Sequence, residues 1–201
     1  MKTVNIHNIA GIAFFLFSIT CSCQNLDLKS KKIAEDTKNS MQKDYILEKE
    51  KICDLNNDQK NDIILIYKTR NIDTEIETFD VPVILILSQN NNYVKMNNSN
   101  ILYSYVPNNS VLNHNLVIKN EFFTLEQTEG DGNSKKKTYI TFRFDKNSKH
   151  ILLSKYGVET SFPGKENMII KTKIFSTKDF GKIRFEDFNS DSISSIIKYS
   201  N

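Results

Sequence analysis

Four side chains in one short stretch of this chain have the types and spacing of a hard-cation site. In CDLNNDQKNDIILIYK, Asp54, Asn56, Asp58 and Asp62 follow the pattern D-x-N-x-D-x-x-x-D and run directly into an apolar segment. In a calcium loop of the helix-loop-helix kind, the first, third, fifth and ninth positions turn oxygens inward. The seventh supplies a carbonyl, here that of Lys60. Two positions depart from that plan: Gln59 stands where a glycine makes the sharp turn, and Leu65 where a bidentate glutamate closes the site. An Asx-rich turn, in which the same side chains accept backbone amides, is the alternative. Either arrangement must offset the repulsion between three carboxylates held in one loop.

Other chemistry has less to work with. The chain contains no G-x-S-x-G nucleophile turn, no H-E-x-x-H zinc helix and no glycine-rich phosphate loop. His7 lies in an N-terminal export segment, while His114 and His150 sit beside strand-like runs with no partner at ligand spacing. Glu126, Glu129 and Asp131 place acids near a hairpin tip. A carboxylate pair about 5 to 9 Å apart would suit glycoside hydrolysis, but acids on an exposed tip are ordinarily solvated. Cys53, next to Ile52, reads as a small buried hydrophobe. The expectation is a protein that does no chemistry of its own.

Charge narrows the partners. The 201 residues carry 27 Lys and Arg against 24 Asp and Glu, a formal +3, and loss of the first 22 residues removes only Lys2. The only tight basic cluster is Lys135, Lys136 and Lys137, beside a glycine-containing loop. Nucleic-acid binders concentrate basic residues on one face to displace counterions from phosphates, so a nucleic-acid partner is not expected.

The N-terminus, MKTVNIHNIAGIAFFLFSITCSCQN, has a basic start, an uncharged run from Ile9 to Ile19, then small residues and cysteine. This is the pattern of an export signal. As a helix the run would be about 16 Å long, against a hydrocarbon core of about 30 Å, so cleavage fits better than permanent anchoring. Its end resembles a bacterial lipobox, in which a peptidase cuts before a cysteine that receives a diacylglyceryl thioether. Cys23, preceded by the small Ser22, is the preferred lipidation site, and Cys21 is the alternative. The resemblance implies residues 1–22 as a lipoprotein signal and a chain anchored to the outer membrane, facing the periplasm or the surface.

The elements that must position the acidic loop come next. Residues 23–43 carry few apolar side chains and no clear period, which predicts a flexible tether. A folded domain is expected over 44–201. There, short runs rich in Ile, Val, Leu, Tyr and Phe alternate with Asn, Asp, Ser, Gly and Lys clusters, the pattern of strands and turns. Strands are expected at about 45–52, 62–68, 82–88, 92–96, 101–105, 115–119, 121–128, 137–144, 150–156 and 168–175. The fold class is therefore mainly β: an antiparallel sheet, a sandwich or a partly closed barrel-like meander of hairpins, ending in a short helix. Asn189 or Ser190 caps that helix, and Ile193, Ile196 and Ile197 recur at helical spacing.

DLNNDQKNDIILIY resembles the acidic-loop segment of FG-GAP and VCBS repeats, as found in secreted bacterial lipoproteins. The later order of FFTLEQ, TYITFRF and HILLSKY is also similar to those proteins. The resemblance implies calcium at the acidic loop, and in some relatives inhibition of cell-wall-degrading toxins. The expected function is a lipid-anchored envelope module that binds an envelope protein or glycan. A periplasmic inhibitor or immunity protein is the alternative, and an envelope polysaccharide hydrolase stands third.

Overall fold

The computed structural model describes residues 27–70, 78–105, 113–130, 133–165 and 167–198. The expected lipidation sites Cys21 and Cys23, and Asp131 of the hairpin tip, lie outside those residues. Among the described residues the chain forms α1 (Leu28–Met41), β1 (Tyr45–Cys53), β2 (Asp62–Thr69), β3 (Thr78–Gln89), β4 (Asn92–Tyr105), β5 (Asn113–Lys119), β6 (Phe122–Gly130), β7 (Lys135–Asp145), β8 (His150–Pro163) and β9 (Met168–Ser176). Two helices follow, α2 (Thr177–Phe180) and α3 (Ser190–Lys198). The strands make two antiparallel sheets in sequence order, β1 to β4 and β5 to β9, neither of them closed on itself. The fold is mainly β, as expected, and it takes the two-sheet form.

The five-stranded sheet keeps the alternation that its sequence announces. Phe123, Leu125, Ile140, Phe142 and Leu153 are buried on one face, and they meet Ile64, Ile66, Val83 and Leu85 of the four-stranded sheet in a shared core. The C-terminal segment closes this core. Phe185 and Phe188 pack edge-on against Phe142 at 5.4 and 5.6 Å between ring centroids. The Asn98 amide donates to the carbonyl oxygens of both residues, at 2.6 and 2.8 Å. Asn189 caps α3 by accepting from the amides of Asp191 and Ser192, and the helix buries Ile193 and Ile197.

The four-stranded sheet is different, because β2 and the latter half of β3 are buried on both faces. Their runs, DIILIY and VPVILIL, are continuously apolar instead of alternating, so the second face needs a cover. Helix α1 supplies it. Ala34 packs over Ile63, Leu65, Tyr67, Ile84 and Ile86, with Ile33 and Met41 at the edges. The flexible tether expected over 23–43 is corrected for these residues: 28–41 are helical and docked. Asp27 caps the helix, accepting from the Ser30 amide at 2.8 Å and from the Tyr93 hydroxyl. Those bonds, that from Tyr93 foremost, hold the Asp27 carboxyl below its usual range.

Candidate functional site

The acidic loop joins β1 to β2, and its residues do come together. Asp54 accepts from the amides of Asp58 and Gln59 at 3.1 and 2.9 Å. Asp58 accepts from the Lys60 amide at 2.9 Å and from the Ser88 hydroxyl at 3.0 Å. Asp62, fully buried, accepts from the Leu55 amide at 2.6 Å and the Ser88 amide at 2.7 Å. Asn56 accepts from the Asp58 amide at 3.1 Å and donates to the Ser88 carbonyl. Lys60 reaches across to Asn91, its ammonium 2.7 Å from the side-chain oxygen. All six carboxylate oxygens of the loop thus face an N–H or O–H of this chain.

The backbone explains how. Asn57 and Gln59 both adopt the left-handed region, at φ 60° and 64°, which folds the loop back onto its own carboxylates. Asparagine tolerates that region, whereas Gln59 is strained in it. Burial pushes the Asp62 carboxyl up to about 7 against the opposing pull of its two amides, with Asp58 and Asp54 adding to the rise. The same burial, with Asp62 and Asp54 nearby, pushes the Cys53 thiol up to about 12, which makes it a poor nucleophile. The oxygen-rich donor set is of the kind calcium takes, but a cation would have to displace or share donors already in place. Among the described residues, no group of three or more His, Cys, Asp or Glu is placed to hold a metal ion. The residues fit a self-bonded turn better than a cation cage.

The remaining acids of interest are paired. Glu126 lies 3.1 Å from the Lys137 ammonium, and Glu129 2.7 Å from that of Lys136. Glu129 also accepts from the Tyr103 hydroxyl at 2.7 Å. His114 is buried between the sheets: its Nε2 is 3.0 Å from the Tyr103 carbonyl and its Nδ1 is 3.4 Å from Glu48. Glu48 reaches it because β1 carries a bulge between Leu47 and Lys49, which re-aims a side chain that regular pairing would point elsewhere. The bond to His114 holds the Glu48 carboxyl below its usual range.

Among the described residues, exposed large apolar side chains gather most densely on β9. It is the edge strand of the five-stranded sheet, and every residue from Met168 to Ile174 is exposed. Met168 is 53% exposed, Ile170 63% and Ile174 70%.

No protein-family model matches this chain, and neither a curated protein nor a solved structure matches it.

The apolar surface therefore has to be read from its own geometry. Ile174 stands opposite Gly157, itself opposite Tyr139. With no side chain at Gly157, a shallow cleft of about 240 Å³ opens between Tyr139 and Ile174, rimmed by Lys155 and Glu159. At its other end the β8–β9 hairpin outruns the sheet, because β7 begins at Lys135 opposite Ser161 while Phe162 and Pro163 pair only with Ile169 and Met168. Sequence reasoning placed this strand but not its exposure. The legible signal was MII followed by KTK, three contiguous apolar residues and then guarding lysines, where a half-buried strand alternates throughout.

Proposed function

We propose that this chain is an exported, lipid-anchored envelope protein that works by binding another envelope protein. The observation that carries the reading is the exposed strand β9, with Met168, Ile169, Ile170 and Ile174 at the surface of an otherwise well-packed domain. Contiguous exposed apolar surface beside a polar rim is the mark of an interaction site. Export and anchoring rest on the N-terminal pattern ending in TCSC. The acidic loop serves as a clamp between the β1–β2 turn and Ser88. The projecting β8–β9 hairpin favours a second, narrower version, in which the bound protein is an envelope-acting enzyme and the hairpin blocks it.

The test is capture from native envelopes, with the wild-type chain beside Ile170→Asp and Ile174→Asp. Loss of one specific captured protein with both variants, at unchanged melting midpoint, supports the reading. Capture that is indifferent to both substitutions overturns it.

A further inference from the structure

We propose that β9 accepts an extended segment of the partner protein as a sixth strand, and that this segment alternates acidic with apolar side chains. The inference rests on the binding role just proposed and names the partner's chemistry. An edge strand leaves alternate N–H and C=O groups unpaired along its outer side, and proteins blunt such edges with bulges, prolines, short length or a covering element. β9 has few of these devices. It runs for nine residues without a proline, and its register with β8 is unbroken from Lys155 opposite Ser176 to Pro163 opposite Met168. Among the described residues its guards are Lys171, whose ammonium stands 5.3 Å over the Phe162 ring, and Lys173.

Those two lysines select the occupant. Phe175 packs towards the core, so by alternation Lys173, Lys171 and Ile169 line the same side, and Ile174, Thr172, Ile170 and Met168 line the other. A strand laid beside β9 would therefore meet cations on one side and isoleucines on the other. A second copy of this chain fits badly in full overlap: antiparallel pairing of two β9 strands centred on Thr172, the register that pairs all nine residues, would set Lys171 opposite Lys173 in both directions, and like charges directly opposite are destabilising. The surroundings add to the preference: residues 165–182 carry Lys165, Lys171, Lys173, Lys178 and Lys182 against Glu166 and Asp179, and on the neighbouring β8 Glu159 is offset by Lys155. Asp179 is already engaged in the capping box of α2 with Ser176. Charge complementarity points to an acidic strand, with main-chain bonds supplying affinity and the alternation supplying specificity.

The test uses the purified full chain and two labelled synthetic decapeptides, one alternating Glu with Val and one alternating Lys with Val, read by fluorescence anisotropy. The acidic peptide should bind and the basic one should not. N-methylation of alternate amides should abolish binding, and added salt should weaken it. The double variant Lys171→Glu, Lys173→Glu should weaken the acidic peptide by about tenfold or more and admit the basic one, two cross-strand pairs having changed sign. Amide exchange should slow at alternate positions of β9. No binding of the acidic peptide, equal binding of both peptides, or binding that survives N-methylation would overturn sixth-strand addition. If envelope capture still depends on Ile170 and Ile174 in that case, the partner docks on the face of the sheet and the binding role stands.

Discussion

The carboxylate of Asp62 accepts the Ser88 amide at 2.7 Å across 26 residues of sequence, tying the β1–β2 loop to the end of β3. Its second oxygen takes the Leu55 amide at 2.6 Å, so one buried carboxyl organises two turns. Asp62→Asn keeps the shape but must turn an NH2 towards one of those amides. It should lower stability by about 2 kcal/mol, visible as a lower urea midpoint. Asp58→Asn, on the exposed side of the loop, should cost about 1 kcal/mol.

Calcium and the amides compete for the same oxygens. A cation present at 100 times its dissociation constant would stabilise the fold by about 2.7 kcal/mol. With every carboxylate oxygen of the loop already facing a donor, the melting midpoint should be the same in millimolar calcium as in chelator. A rise in calcium that disappears in Asp58→Asn would restore the cation site that the FG-GAP resemblance implies.

Gln59 holds φ at 64°, a region where glycine is unstrained. Gln59→Gly should therefore stabilise the fold, by up to about 1 kcal/mol once the greater freedom of the unfolded chain is set against the relieved strain. A lower melting midpoint in Gln59→Gly would show that its side chain makes a contact worth more than the strain.

Glu48 and Asp62 contribute opposite pH dependences. The contribution of Asp62, whose carboxyl burial raises to about 7, is fully present below its unfolded value and is lost as pH rises through about 7, whereas that of Glu48 is lost in acid. The Glu48 carboxyl is held below the ordinary 4.5 chiefly by the bond to His114, so the folded state binds this proton less readily than the unfolded chain. The resulting stability is fully present above pH 4.5 and is lost as pH falls through the lower folded value. Glu48→Gln should remove about 1 kcal/mol at pH 7 and flatten the acid limb of the stability profile below pH 4.5, measured by urea titration at each pH.

Helix α1 is a structural element of the domain, although its sequence reads as a tether. Ala34→Asp would bury an unpaired charge against Ile63 and Ile84 and should cost about 3 kcal/mol. Limited proteolysis should spare residues 28–41 in the native chain, and a chain begun at Tyr45 should aggregate through the uncovered face of β2 and β3.

Which features could be read in advance follows from what each residue packs against. The hairpins were legible because their turns use Asp, Asn and Gly: Asp145 accepts from the Ser148 hydroxyl at 2.7 Å, and a Cβ at Gly130 would sit 2.1 Å from the Ser134 carbonyl oxygen. NNSN predicts a break between 92–96 and 101–105, but β4 runs through it, and the register with β3 shifts only beyond Asn98. Asn97 and Asn98 continue the ladder opposite Ile84 and Val83, and the Asn98 side chain is buried on the C-terminal segment. α1 escaped notice because the residues it buries are small, Ser30, Ala34 and Thr37, and carry little hydrophobic signal. The unalternating runs of β2 and β3 already required a cover, so the clue lay in the sheet and not in the helix. In the acidic loop the residues were legible, but their partner Ser88 lies on β3 and no local spacing could name it.

Site-specific photocrosslinking in intact cells tests the central claim most directly. A photoreactive side chain is placed at Thr172 in the middle of β9, with a control at Asn115, on β5 at the opposite edge of the same sheet. The expected result is one discrete adduct from position 172, absent from 115 and lost when Lys171→Glu and Lys173→Glu are added. No adduct from position 172, or the same adducts from both positions, would contradict a partner seated along β9.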